Sequence, residues 1–226
     1  RKTRNMSGGG YKLYYFPVRA RGEMDRWAFA AAKIDFEDIR LNREEWLKEK
    51  ESGRPPLGQM PFIVTPEGKI LAQSGAILKY ICKKGGLSPS DSFDEAQADM
   101  ILGGVDDLRV AMIKAHFQKD EEEKKKLWKE FFETTVPDRL GKYEALLKSR
   151  DEGMGYFFGD KLTYADIAFV EFFQSLKVNV DIQKEKEKKE HLPDIEEILK
   201  KFSLLYEYYK RVLAVEEIKT CIEKRP

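Results

Sequence analysis

Residues 58–74 read G-Q-M-P-F-I-V-T-P-E-G-K-I-L-A-Q-S, and this stretch decides the fold. Phe62-Ile63-Val64 is a short apolar run of strand formers, Pro66-Glu67-Gly68 carries turn signals, and Ile70-Leu71-Ala72 is a second short run. Together they predict a β-hairpin. Gln73-Ser74 then opens a helical pattern in which Ile77, Leu78 and Ile81 share one face. Two details go beyond a generic hairpin and helix. Pro61 stands where the first strand begins, has no N–H for a ladder, and is a place where a cis X-Pro bond would redirect the backbone. That would leave the N–H and C=O of Met60 to pair with an extended peptide, as in strand addition. Ser74 falls in the first turn of the helix, where free N–H groups and the helix dipole favour a carboxylate or phosphate. A small acidic peptide would suit both features, and a plain hairpin leading into a Ser-capped helix would also produce them.

Outward toward the N-terminus, Tyr11–Phe16 alternates and predicts a strand, which Pro17 ends. Glu23–Ala32 reads as a helix with Met24, Trp27 and Phe29 on its apolar side, and Ile34–Ile39 alternates as the next strand. Asn42 caps a short helix carrying Trp46 and Lys50, which Gly53-Arg54-Pro55-Pro56 breaks; Gly85-Gly86 ends the helix after the hairpin. The order β-α-β, short helix, β-β-α pairs the first two strands in parallel through a crossover and adds an antiparallel hairpin. Residues 11–86 are therefore expected to form an α/β domain of thioredoxin-like arrangement.

Toward the C-terminus, Leu87–Ser92 reads as a linker, and beyond it β-patterning stops, so residues 93–226 are expected to form an all-α domain. Its helices are expected over Glu95–Phe117, Glu121–Lys148, Pro193–Val215 and Glu216–Lys224, with the charge run Asp120–Lys126 a solvated helix boundary. Thr163-Tyr164-Ala165-Asp166 has capping-box spacing ahead of the apolar run Ile167–Phe173. The Lys/Glu run Gln183–Glu190 is expected to be a linker or helix end. Arg1–Gly10, basic and then Gly-rich, is expected to be a disordered leader, with Met6 a candidate start.

The 226 residues suffice for one large or two small packed domains. Lys and Arg number 41 against 40 Asp and Glu, a formal net charge of +1 that gives no global pull toward nucleic acid or anionic lipid. No apolar run approaches the roughly 20 residues of a bilayer span, and no basic patch with interleaved aromatics suggests nucleic-acid binding. The start shows no signal-type segment. Cys82 and Cys221 form neither a metal spacing nor a disulfide framework, and a reducing cytoplasm is the expected compartment. His116 and His191 have no partners by spacing, and no metal site is expected.

The segment Q-M-P, followed twelve residues after the proline by Q-S, resembles the glutathione-binding half of the glutathione S-transferases. The run Tyr11-Lys12-Leu13-Tyr14-Tyr15-Phe16, with Arg19, Arg21 and Glu23 beyond it, is similar to the sigma class, whose catalytic tyrosine immediately precedes the Phe. Chemistry explains why such an enzyme needs a hydroxyl there. A thiol of pKa about 8.5 is mostly protonated at neutral pH, whereas the thiolate is the nucleophile. Lowering that pKa by about two units takes roughly 2.7 kcal/mol, part of which a hydrogen bond to the charged sulfur supplies. Tyr14 and Tyr15 point to opposite faces of a strand, and the resemblance selects Tyr15, leaving Tyr14 structural.

The resemblance further implies that Arg21 assists by charge, Arg19 being a second candidate that serves equally well as a surface residue. Trp46 and Lys50 would hold the glycine-end carboxylate of glutathione, Gly58, Gln59 and Met60 the cysteinyl backbone, and Gln73 and Ser74 the γ-glutamyl carboxylate. Asp107, the second residue of Asp106-Asp107, would reach the γ-glutamyl amine of a neighbouring subunit, which implies a homodimer. Pro17, Val18, Arg109 and Met112 are expected to line the electrophile pocket, while Pro61, Thr163 and Asp166 are expected to be structural. Glutathione would be a co-substrate, with no permanently bound cofactor. The chain departs from the family pattern at Ala20 and Gly22, where Gly and Ala are usual, and in a longer Glu51–Leu57 segment. Gly103 and Lys114 stand where prostaglandin D synthases of this class place an aspartate and an aromatic. The implied activity is conjugation of glutathione to hydrophobic electrophiles. An S-crystallin-like structural role and a glutathione-dependent prostaglandin isomerase are the alternatives.

Overall fold

The computed structural model describes residues 10–187 and 192–225. Of the expected leader Arg1–Gly10 only Gly10 is described; the end of the Gln183–Glu190 run and His191 lie outside the described residues. The chain divides into two compact units: residues up to Leu87 together with those from Glu216 onward, and Ser88–Val215.

In the first unit, β1 (Tyr11–Tyr15), α1 (Ala20–Ala31), β2 (Phe36–Arg40), α2 (Arg43–Glu51), β3 (Phe62–Val64), β4 (Ile70–Ala72) and α3 (Ser74–Lys84) follow the expected order. The sheet order is β2-β1-β3-β4. β1 runs parallel to β2, with Leu13 opposite Asp38, and β3 antiparallel to both β1 and β4, with Ile63 opposite Leu13 and Leu71. Strand alternation sorts β1 between two cores. Leu13 and Ile63 are fully buried, as are Phe29 of α1 and Ile77, Leu78 and Ile81 of α3, and α1 packs against α3. On the opposite face Tyr14, Phe62, Ala72 and Leu41 form a second cluster with Trp46 and Met60.

The expectation placed the last helix, α10 (Glu216–Glu223), in the all-α domain, but it groups with the first unit and packs on α1. Ile218 is fully buried, Glu217 pairs with Lys33 at 2.6 Å, and Arg225 pairs with Glu23 at 2.6 Å. The partners that recruit this helix lie on α1 and just after it, far away in sequence.

The second unit holds α4 (Ser92–His116), α5 (Glu121–Glu130), α6 (Val136–Lys148), α7 (Tyr164–Glu187), α8 (Ile195–Lys200) and α9 (Ser203–Leu213). The single helix expected over Glu121–Lys148 is interrupted by a π-helical turn at Phe131–Thr135. Pro137, at the start of α6, has no N–H for the i→i−4 ladder, so the ladder is loosened there. The wider turn buries both Phe131 and Phe132, the latter stacked on Trp128 at 5.3 Å. The helix expected over Pro193–Val215 breaks at Phe202, which is extended at φ −115° and ψ 82°.

α7 carries the core of this unit, with Tyr164 to Phe173 buried almost completely. Asp166 is fully buried and accepts four hydrogen bonds: from the backbone N–H of Phe157 (2.9 Å) and Thr163 (2.7 Å), and from the hydroxyls of Thr163 (2.7 Å) and Tyr208 (2.8 Å). The capping-box spacing thus works one way: the carboxylate takes the Thr163 N–H, and the Thr163 hydroxyl donates to that carboxylate. Burial raises the Asp166 carboxyl above its ordinary pKa, against the pull of these hydrogen bonds.

Candidate functional site

Two adjacent tyrosines end β1, and their surroundings separate their roles. Tyr14 stacks on Phe62 with ring centroids 4.5 Å apart and planes 4° from parallel. The Arg54 guanidinium lies 4.5 Å above the Tyr14 ring, and Arg54 Nη1 donates to the Tyr14 hydroxyl at 3.3 Å. Glu49 holds that guanidinium, accepting from Nε at 2.8 Å. Tyr14 is thus a packing residue whose hydroxyl is engaged. Tyr15 lies on the α1 side, 7% exposed, with its ring over Gly22 and 6.0 Å from the Arg26 guanidinium. Its backbone carbonyl accepts from Leu41 N–H at 2.8 Å, which ties the end of β1 to the chain entering α2.

α2 is fixed at its start by a complete capping box. The Asn42 side chain accepts from the N–H of Glu44 (2.9 Å) and Glu45 (3.0 Å), and the Glu45 carboxylate accepts from Asn42 N–H at 2.8 Å. Trp46 is thereby set half-buried against the cluster of Tyr14, Leu41, Phe62 and Ala72, with Phe16 edge-on at 6.4 Å. Lys50, exposed in the last turn, runs over Gly58, its Cε 3.7 Å from where a Cβ on that glycine would stand. Gly58 has φ +57°, the left-handed conformation that glycine adopts at no steric cost.

The Met60–Pro61 bond is cis, as expected at the head of β3. Gln73, immediately before α3, has φ 75° and ψ 115°, an unfavourable backbone for a residue with a side chain. Its Nε2 donates to Gln59 Oε1 at 3.2 Å, so the two glutamines bridge the hairpin's ends. Ser74 follows as the first residue of α3, 5% exposed. Strain of this kind persists where surrounding structure over-determines it, and it clusters at ligand-binding sites. Trp46, Lys50, Gly58, Gln59, Met60, Gln73 and Ser74 are thus brought into one region of the first unit.

Arg21 is half-buried in the first turn of α1, and Pro17 and Val18 are exposed in the connection before it. Arg109 and Met112 sit on α4 in the second unit, where Arg109 is 3% exposed and its Nη2 lies 3.0 Å from Glu171 Oε2. Its charge is matched inside that unit. Asp107 is exposed on α4 with its carboxylate 3.6 Å from Arg139, and Gly103 and Lys114 are exposed on the same helix. Among the described residues no three His, Cys, Asp or Glu converge as metal ligands, and no helix is long and apolar enough to cross a membrane.

Sequence reasoning missed Arg26. It is 3% exposed, yet its guanidinium meets Asp38 (3.0 Å), Glu23 (3.0 Å) and the backbone carbonyls of Val18 (3.0 Å) and Phe16 (3.3 Å). One buried cation therefore holds the β1–α1 connection directly after Tyr15. The available signal was an arginine next to Trp27 in a helix whose apolar side carries Met24, Trp27 and Phe29.

The model for the glutathione S-transferase N-terminal domain matches residues 9–83, and that for the glutathione S-transferase C-terminal domain matches residues 106–225. Probable glutathione S-transferase 9 of Caenorhabditis elegans is 31% identical over 219 residues, covering 96% of this chain and 97% of its own. This chain belongs to the glutathione S-transferase family. The transferase also resembles solved structures over 96% of its length. Prostaglandin synthase D of Nilaparvata lugens has a TM-score of 0.80 at 30% identity, with 99% of that chain covered. A Pi-class glutathione S-transferase of Onchocerca volvulus has a TM-score of 0.77 at 29% identity, with 94% covered. The expected two-part fold, a thioredoxin-like unit and a helical one, is the family's.

Proposed function

We propose that this transferase is of sigma type and conjugates the glutathione thiolate to hydrophobic electrophiles. Tyr15 donates a hydrogen bond to the sulfur, and the Arg21 cation lowers the thiol pKa further. Trp46 and Lys50 hold the glycine-end carboxylate, Gly58, Gln59 and Met60 the cysteinyl backbone, and Gln73 and Ser74 the γ-glutamyl carboxylate at the α3 N-terminus. In a homodimer, Asp107 of one subunit reaches the γ-glutamyl amine bound to the other, and Pro17, Val18, Arg109 and Met112 shape the electrophile pocket. The protein acts in the cytoplasm with no permanently bound cofactor. The observation that carries this reading is the strained Gln73, bonded to Gln59 at 3.2 Å, which presents buried Ser74 at the start of α3.

The test is glutathione binding by calorimetry, followed on the same sample by a rate assay with a chloronitrobenzene electrophile. Binding with turnover supports conjugation. Binding without turnover points to an isomerase or to a crystallin-like role, and absence of binding overturns the proposed site.

A second reading is isomerisation of a prostaglandin endoperoxide, favoured by the similarity to the Nilaparvata lugens prostaglandin synthase D. Gly103 and Lys114, where an aspartate and an aromatic would be needed, count against it. Product analysis with an endoperoxide substrate decides between the two.

A further inference from the structure

The chain from Glu51 to Leu57, the end of α2 and the loop beyond it, is longer than the family pattern and separates two halves of the proposed glutathione site. Trp46 and Lys50 precede it on α2; Gly58, Gln59 and Met60 follow it at the head of β3. Gly53 and Gly58 bracket the loop with φ +71° and +57°, and glycine leaves a loop more conformations than any other residue. The loop's backbone bonds are local. Gly53 N–H donates to the Lys50 carbonyl at 3.2 Å, Arg54 N–H to Ser52 Oγ at 3.2 Å, and Gly58 N–H to the Pro55 carbonyl at 2.9 Å. Such bonds shape the turns without fixing where they stand against the sheet. The Arg54 side chain supplies that. Its guanidinium lies 4.5 Å from the Tyr14 centroid and 5.5 Å from that of Phe62, over the two rings that stack across β1 and β3. Nη1 donates to the Tyr14 hydroxyl at 3.3 Å, while Nε and Nη2 donate to the Glu49 carboxylate at 2.8 and 2.5 Å. The planar fork is thus engaged by its face and its edges together. Glu49 stands on α2 directly before Lys50, so one side chain joins helix, loop and both strands. Trp46 and Met60, one residue from each half of the site, pack against the same ring cluster.

We propose that Arg54 is a positioning residue: with Glu49 it clamps the long α2–β3 loop onto Tyr14 and Phe62, and so holds Trp46 and Lys50 in register with Gly58, Gln59 and Met60 for glutathione. The inference rests on the glutathione-site assignment given above. A shorter segment leaves less chain to fix, so the clamp answers the added length in this chain. Tyr14 and Tyr15 point to opposite faces of β1, and the clamp sits on the Tyr14 face. It therefore acts on glutathione affinity and leaves the thiolate chemistry alone.

The experiment measures glutathione isotherms, and steady-state kinetics with a chloronitrobenzene electrophile, for Arg54→Met, Arg54→Lys, Glu49→Gln and, as a reference, Lys50→Ala. The Arg54 and Glu49 side chains are 34% and 23% exposed, so replacing either strands no fully buried charge. Arg54→Met is expected to weaken glutathione binding about five- to tenfold and to raise KM in step, with kcat within about twofold and the bound thiol titrating as before. Arg54→Lys keeps the charge but loses the fork and the flat face, and it is expected to bind as weakly as Arg54→Met. Glu49→Gln is expected to weaken binding in the same direction and to add little when combined with Arg54→Met. Full affinity in Arg54→Lys would show attraction by charge alone and overturn the clamp, as would a lowered kcat at unaltered KM. Isotherms report the number of sites apart from Kd, so poor folding shows as fewer sites. Fewer sites at unaltered Kd would make Arg54 a folding residue only and overturn the proposal. Lys50→Ala keeps the two failures distinct. A deficit there beside an unaltered Arg54→Met overturns the role of Arg54 alone, whereas unaltered binding in Lys50→Ala overturns the site assignment and the proposal with it.

Discussion

The Tyr208 hydroxyl donates to Asp166 Oδ1 at 2.8 Å, fastening α9 to the first turn of α7 at a point where neither side chain reaches water. The same carboxylate serves Phe157 and Thr163, so one residue joins a loop, a helix start and a second helix. Asp166→Ala would leave two buried backbone N–H groups without an acceptor. We expect a loss of about 3 kcal/mol or more, since each unsatisfied buried donor costs roughly 1–3 kcal/mol. Tyr208→Phe should cost roughly 1.5–3 kcal/mol, the value of one hydrogen bond to a charged group. Urea midpoints at constant m-value would measure both; a loss under about 0.5 kcal/mol for Asp166→Ala would contradict this account.

The two β1 tyrosines should separate cleanly. Tyr15→Phe is expected to reduce turnover by about tenfold or more, equivalent to about 1.4 kcal/mol of transition-state stabilisation, with glutathione affinity nearly intact. Tyr14→Phe should leave turnover unchanged and cost about 1 kcal/mol of stability through the lost Arg54 bond. Steady-state kinetics and denaturation of the two variants would check this, and a turnover deficit in Tyr14→Phe alone would reverse the assignment.

Gln73 sets stability against binding. Its φ of 75° suits glycine, so Gln73→Gly should be neutral or stabilising by up to about 1 kcal/mol. The variant loses the side chain that bridges to Gln59 and the one proposed to hold the γ-glutamyl end, so glutathione affinity should fall about tenfold or more, roughly 1.4 kcal/mol. A melting curve and a binding isotherm on one preparation suffice. Equal affinity would remove Gln73 from the site.

Burial, and next the negative charge of Glu23, push the Cys221 thiol up to about 11 from an ordinary value of 9.0. Cys82 is fully buried. Native protein at pH 8 should therefore react with iodoacetamide far more slowly than unfolded protein. Because the folded thiol keeps its proton to higher pH than the unfolded one, its contribution to stability is complete below pH 9 and is lost as pH rises through about 11. Cys221→Ala should flatten that part of the stability curve. Rapid native labelling at pH 8 would refute the shift.

The hairpin and the start of α3 were legible because the signals are local: two short β-rich runs, a Pro-Glu-Gly turn, and Ile77, Leu78 and Ile81 at helical spacing. Asn42 was legible as a cap for the same reason, three residues before Glu45. Alternation along β1 separated Tyr14 from Tyr15 but could not say which faced the site, since that depends on the helix each strand face meets. Arg26 and Arg54 were illegible as structural residues. A charge placed against aromatic rings is explained only by its carboxylate partners, Asp38 and Glu23 for one and Glu49 for the other, and by the carbonyls it gathers. The π-helical turn at Phe131–Thr135 depends on a balance of packing and a missing proline donor that a periodic pattern does not register. The allegiance of α10 was illegible for a plainer reason, since its partners are at the other end of the chain.

That allegiance bears on synthesis. A ribosome produces α1 long before α10, so Lys33 and Glu23 meet Glu217 and Arg225 only once that distant segment has been made. Although amino-terminal domains generally fold first during translation, this one remains without its closing helix until the segment from Glu216 onward has been made. Nascent chains stalled before Glu216 would thus expose the surface of α1 that α10 covers, giving chaperones a window that shuts once α10 emerges.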